Sequence, residues 1–434
     1  MLNRIPGTSS SRLALSICIL LALPLLMAFP RTAGSLMGVL ALAGLAALAT
    51  ERRFRFIDWH FLAFCMILPA AYMWNMMITG WETDILDRPI HLFAGFLIYC
   101  LIGRIGLHRN TLFYAALLGA FTALGIAVYE GVYLGNARVF GLGNRWNAVP
   151  FGNFSLIVGF FCVAAAGLVP RGLEAPAPRR LHLLLSFAGV VAGLTASLLS
   201  GTRGGWVAIP LLVLLCVFLN DQLSRRSRGL ALIVILGVVT VFFSTSDRMH
   251  SRVSEAQAQI TQFIAAPDDP KSHAAPVGVR LGMWYWGIKK FMEHPLTGMG
   301  LSAYEEERKA AVDSGELPPD FIGYANLHNE IITSLALGGL PSALAVIAFW
   351  IIGWRFFHAH LKAGNQEEHY FALCGLLVLV GTAVFAMTEG LFGTSPGTKA
   401  LVLCLAVPAG AIRYCERMRT APVCSGSAEQ QPAT

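Results

Sequence analysis

Three side chains stand out by type and by place: Arg203, Arg280 and His328. A guanidinium is always charged and can grip a phosphate through two N–H bonds. An imidazole with an ordinary pKa of about 6.5 can take a proton from a hydroxyl near neutral pH. Two fixed cations and one base suggest chemistry on an anionic substrate. Each residue also has a plainer reading. Arg203 sits in the tight turn Ser200-Gly-Thr-Arg-Gly-Gly-Trp206, whose glycines expose backbone N–H groups to an anion but whose arginine could equally reach lipid headgroups. Arg280 could snorkel from an interfacial helix, and His328 could serve as a cap. Weaker candidates for substrate contact are Arg138 and Arg145 in the Gly- and Asn-rich loop 135–153, with Asn329 and Glu389.

The elements that must position these residues are membrane spans. Only 13% of the 434 residues are charged, against about 25% in soluble domains. The expected fold is an all-α integral membrane protein with about twelve transmembrane helices and one large periplasmic helical loop. The spans centre on 13–29, 33–49, 59–78, 89–103, 111–130, 150–169, 181–199, 205–219, 229–244, 340–354, 370–388 and 399–414. The first resembles a signal peptide and is read as a retained helix, because no small-residue cleavage site follows it. Alternate connections hold 18 Lys and Arg, while the opposite short loops hold 6. The richer side is cytoplasmic. Both termini are therefore expected there, and the three marked residues outside.

Four segments follow: nine spans in 1–244, an outward segment at 245–325, an outer helix with three more spans in 326–419, and a disordered tail at 420–434. In the outward segment, 248–265 reads as an amphipathic surface helix. A second helix, 279–293, turns Met283, Trp284, Gly287, Ile288 and Phe291 to one face, and Arg280 shares that face. Ser302 and Glu305 suggest a capping box for a third helix. The apolar run 327–354 is too long for one span and is broken by Gly338, Gly339 and Pro341. A short outer helix at 327–337 would place His328 in its first turn, capped by Asn326. The cysteines show no metal spacing, and no nucleotide motif is present. No cofactor is called for. The net charge of +7 lies in short clusters between spans, which excludes a nucleic-acid surface.

Three pieces in order carry a resemblance: Ser200-Gly-Thr-Arg-Gly-Gly205; Arg280 followed by His294-Pro-Leu-Thr-Gly-Met-Gly-Leu301; and Leu327-His-Asn-Glu330 followed by Leu337-Gly-Gly-Leu340. Together they resemble the O-antigen ligase and polymerase superfamily. The resemblance implies a metal-independent, GT-C-type glycosyltransferase of a bacterial inner membrane. It would move O-antigen polysaccharide from undecaprenyl pyrophosphate to the lipid A core on the periplasmic face. It implies His328 as catalytic base, with Arg203 and Arg280 on the donor pyrophosphate. Two alternatives stay open: an O-antigen polymerase with the same chemistry, and a twelve-span secondary transporter, for which no internal repeat is visible.

Overall fold

The computed structural model describes residues 9–50, 57–81, 83–143, 146–168, 176–202, 204–219, 226, 228–229, 247–267, 269–273, 275–324, 326–362, 365–393 and 395–420. These residues form helices and connecting turns, with no strand among them. In chain order the helices are α1 (Ser9–Ala28), α2 (Pro30–Ala49), α3 (Trp59–Thr79), α4 (Thr83–Ile105), α5 (Thr111–Ala127), α6 (Ala148–Ala165), α7 (Pro176–Leu199) and α8 (Ala208–Leu219). After them come α9 (Asp247–Ala265), α10 (Pro276–Glu293), α11 (Leu301–Asp313), α12 (Glu330–His360), α13 (Gln366–Phe385) and α14 (Ser395–Thr420).

Among the described residues, nine helices are long and apolar enough to cross a membrane, and two shorter apolar stretches, Pro89–Ile105 and Gly204–Leu219, accompany them. The chain is a multi-pass membrane protein. These eleven segments coincide with eleven of the twelve expected spans; the remaining one, 229–244, lies outside the described residues from 230 onward. Helix α3 has 21 residues, about 31 Å at 1.5 Å per residue, which matches a hydrocarbon thickness of about 30 Å. Trp59, Trp74 and Trp81 are exposed near its two ends, where amphipathic rings favour the membrane–water boundary.

The core of the bundle is α6, whose side chains are almost all buried. It packs on α5, α7 and α13. A second group, α2, α3, α4 and α14, packs together, and α12 joins it through α3. The helices α9 to α11 form a further group: α9 packs on α10, α10 packs on α12, and α10 and α11 share a small core. Met283, Trp286, Met299, Tyr304, Leu317 and Phe321 are buried there, and the cluster reaches Leu327 and Ala336 next to and within α12.

Helix α12 is broken at Gly339, whose φ of 65° and ψ of −166° are non-helical. A break inside a membrane helix frees carbonyls that must find donors. Here most of the partners come from the Pro-Leu-Thr-Gly-Met-Gly run. The Met299 N–H donates to Ala336 O (2.9 Å), the Gly300 N–H to Leu337 O (2.9 Å), and the Leu340 N–H to Pro295 O (2.8 Å). The Asn75 amide of α3 adds bonds to Thr297 O (2.9 Å) and Leu337 O (3.0 Å). Gly298, at φ 62°, lies against the Leu337 main chain so closely that a Cβ would collide with backbone. The glycine-rich run therefore has a structural job: it sutures the broken helix.

Two local expectations are corrected. His328 is not inside a helix; α12 begins at Glu330, and its cap is Asn329, whose side chain accepts from the Ile332 N–H at 3.1 Å. Ser302 does not cap the third outer helix, because α11 starts at Leu301 with Gly300 as its N-cap and no side-chain capping bond.

Candidate active site

The segment 386–393, between α13 and α14, is where the pieces meet. The Glu330 N–H donates to Ala386 O (2.8 Å), and the buried Glu330 carboxylate accepts from the Phe392 N–H at 3.2 Å. The Asn329 amide donates to Met387 O at 3.4 Å. Gly390 lies under Asn326, so that a Cβ there would sit 2.5 Å from the Asn326 Cγ. The Leu327-His-Asn-Glu330 piece is thus fastened to this segment on both sides of the histidine.

His328 has a φ of 49°, a left-handed conformation uncommon for any residue but glycine. Such a backbone costs on the order of 1–3 kcal/mol and persists only where its surroundings hold it. Those surroundings are on either side of it. The His328 N–H donates to Asn326 Oδ1 (2.9 Å), and the preceding carbonyl, Leu327 O, accepts from the Trp284 indole at 3.0 Å. The ring meets Tyr324 edge-on at 5.1 Å between centroids. Nδ1 is buried and lies 3.4 Å from Glu389 Oε2, close enough for an ion pair but without the geometry of a directed hydrogen bond. The Glu389 side chain is only 7% exposed. Nε2 has no protein hydrogen bond among the described residues. A carboxylate beside one ring nitrogen leaves the other open to exchange a proton with a ligand.

Arg203 itself lies outside the described residues, as does Arg145. The turn around Arg203 is well placed. The Ser200 and Thr202 hydroxyls bond each other at 2.8 Å, and both press on Gly152 of α6. At one end of the turn, a Cβ on Gly201 (φ 71°) would lie 2.7 Å from Ala137 O and 3.5 Å from the Arg138 Cγ. At the other, a Cβ on Gly204 would lie 2.9 Å from the Thr388 hydroxyl. Thr388 precedes Glu389, so the turn and the histidine share one short segment as their neighbour.

Arg280 is exposed on α10 and has no protein partner among the described residues. It lies one helical turn before Trp284, whose indole bonds the carbonyl next to His328. Gly287 lets α10 close on Leu327 and Ile332, since a Cβ there would strike both. Arg138 is exposed beside Gly201. The expected residues therefore lie on elements joined through two links: Trp284 to Leu327, and Gly204 to Thr388 to Glu389. Sequence reasoning marked Glu389 but missed its pairing with His328. It also missed Asn75, although an amide inside an apolar span is itself a signal.

Comparison with known proteins agrees with the motifs. Residues 188–347 match the model of the O-antigen ligase family. The match takes in Arg203, Arg280 and His328 and excludes Arg138 and Glu389. An uncharacterized protein of Haemophilus influenzae is 21% identical over 316 residues, 72% of this chain and 76% of its own length. The family match supports a membrane glycosyl-transfer enzyme of ligase or polymerase type, which uses a lipid-linked sugar donor and a lipid acceptor.

Proposed function

We propose, from the O-antigen ligase match over residues 188–347, that the chain joins O-antigen polysaccharide to the lipid A core on the periplasmic face of a bacterial inner membrane. The donor is the polysaccharide on undecaprenyl pyrophosphate. The observation that carries the reading is the His328–Glu389 pair, next to the turn that holds Arg203.

In the proposed reaction an acceptor hydroxyl attacks the anomeric carbon of the donor sugar. The new C–O bond forms as the bond to the pyrophosphate oxygen breaks, with inversion at the carbon. His328 takes the hydroxyl proton, held for that task by Glu389. The electron pair leaves on the pyrophosphate, whose growing charge is met by Arg203 and Arg280. Fixed guanidiniums fill the place a metal holds in other transferases, so the fold would be a GT-C-type scaffold that works without one. Arg138, Arg145 and Asn329 are second-rank contacts for substrate.

The test is transfer in vitro with purified lipid-linked donor and core acceptor, before and after chelation. Polymer on the acceptor, undiminished by chelator, is the expected result. Gradient-driven uptake with no transfer would favour a transporter. In cells, loss of the protein should leave long polymer on its carrier; single repeats on the core would point to a polymerase.

A further inference from the structure

Beyond the Gly201 end of the Arg203 turn there is a recess. It is an open groove of about 790 Å³ lined by Tyr129, Glu130, Asn136, Arg138 and Phe140, with Gly141 at its edge. Its wall begins where α5 ends. Residues Val128–Tyr133 continue α5 as a π-helical turn, a widening seen often at functional sites. The groove is a folded feature. Gly135, Gly141 and Gly143 all have positive φ, and Trp146 pins the loop by donating from its indole to Leu26 O of α1 at 3.1 Å. The Phe140 N–H donates to Glu130 Oε2 at 2.8 Å.

Glu130 is 6% exposed, yet its second carboxylate oxygen has no protein partner among the described residues. That oxygen is not among the buried atoms left without a partner, so it opens on the groove, where a sugar hydroxyl can take the place of water. The Tyr129 and Tyr133 rings stack at 5.7 Å, with 15° between planes, and both are exposed. Flat aromatic faces beside a carboxylate and an amide suit a ring that carries hydroxyls. Arg138 in the same lining offsets the repulsion of Glu130 for an anion, but neither a phosphate nor a prenyl chain supplies the ring hydroxyls that a carboxylate and an amide would receive.

We propose that this groove is a glycan-binding subsite, in which Glu130 and Asn136 receive sugar hydroxyls and Tyr129 lies along a sugar face. Ala137 O against Gly201 makes the groove continuous with the Arg203 turn. The inference rests on the glycosyl-transfer reading for the kind of sugar, but binding can be measured without catalysis.

The experiment uses the full chain in nanodiscs and three probes: delipidated core oligosaccharide, delipidated O-polysaccharide, and farnesyl pyrophosphate. Glu130→Gln retains an oxygen for the Phe140 N–H, and Tyr129→Ala removes only a ring. Each should weaken binding of one glycan at least tenfold and leave farnesyl pyrophosphate within twofold. Which glycan responds tells whether the subsite serves acceptor or donor. Unchanged binding of both glycans, or a loss confined to farnesyl pyrophosphate, would overturn the proposal. Wild-type protein that binds glycan through Glu130 but transfers none would leave the subsite standing and remove the ligase reading.

Discussion

The two ends of the helix bundle differ in how several of their charges are used. At the end far from His328, a group of cations is matched to carboxylates. His360 Nε2 lies 2.9 Å from Glu416, Arg413 lies 2.8 Å from the same carboxylate, Arg419 lies 3.1 Å from the buried Glu368, and Arg109 lies 3.1 Å from Glu367. Arg417 donates to Gly103 O at 2.6 Å. At the site end, Arg280 and Arg138 have no protein partner among the described residues, while His328 has a carboxylate beside only one ring nitrogen. Paired charges satisfy one another and hold helices together; unpaired ones at the mouth of a membrane protein await a ligand. The far-end pairs fasten helices to one another, and the unpaired cations at the site end are the proposed ligand contacts.

Substitutions can break that contrast, and the largest effect should come from the histidine. His328→Ala is expected to lower transfer about 10²–10⁴-fold, measured as turnover with purified donor and acceptor. Strong residual turnover would remove the base assignment. Arg203→Ala and Arg280→Ala should each cost about 10²–10³-fold, with Lys recovering part of the loss as a point charge without the fork. If either variant retains full rate and loses thermal stability instead, the site end is no different from the far end.

At the far end the expected readouts exchange places. Arg419→Ala strips a cation from Glu368, whose carboxylate is fully buried and retains Asn365 Nδ2 at 3.1 Å. Unfolding in detergent should show a loss of about 1–3 kcal/mol, with unchanged turnover per folded molecule. The smallest effect belongs to a surface pair in the outer segment. Lys290 lies 2.6 Å from Glu307 and 2.9 Å from Glu293. Burial pulls its ammonium down, but the two carboxylates outweigh that and hold it above the ordinary lysine value. Its contribution is therefore complete below that ordinary value and fades as pH rises through the raised one. Lys290→Met should cost at most about 1 kcal/mol, and the difference from wild type should vanish in strong alkali.

The spans were legible because hydrocarbon thickness imposes length. The site was legible only as a set of residue types. In the sequence Asn326 reads as the helix cap, and Asn329 does not. The structure chooses Asn329 because Asn326 is committed to the His328 N–H and to packing over Gly390. The Ser302 box failed because Gly300 is already drawn to Leu337 O, and this starts the helix early. The π turn at 128–133 left no trace, since Val-Tyr-Glu-Gly-Val-Tyr continues the apolar pattern of α5. Neither did the His328–Glu389 contact, whose partners are 61 residues apart in the chain.

The suture at Gly339 has a consequence for how such a chain can change. The outer part of α12 is tied to residues 295–300 by main-chain bonds, so it reads the length of that run rather than the identity of most of its side chains. Thr297 can vary in kind while the ladder survives, whereas Met299 is also fixed by its place in the small core. Adding or deleting one residue between Pro295 and Gly300 would slip the ladder by a step and carry His328 away from Glu389. Spacing is the inherited quantity there, and insertions should be tolerated on the open loops of the outer segment long before they are tolerated in this run.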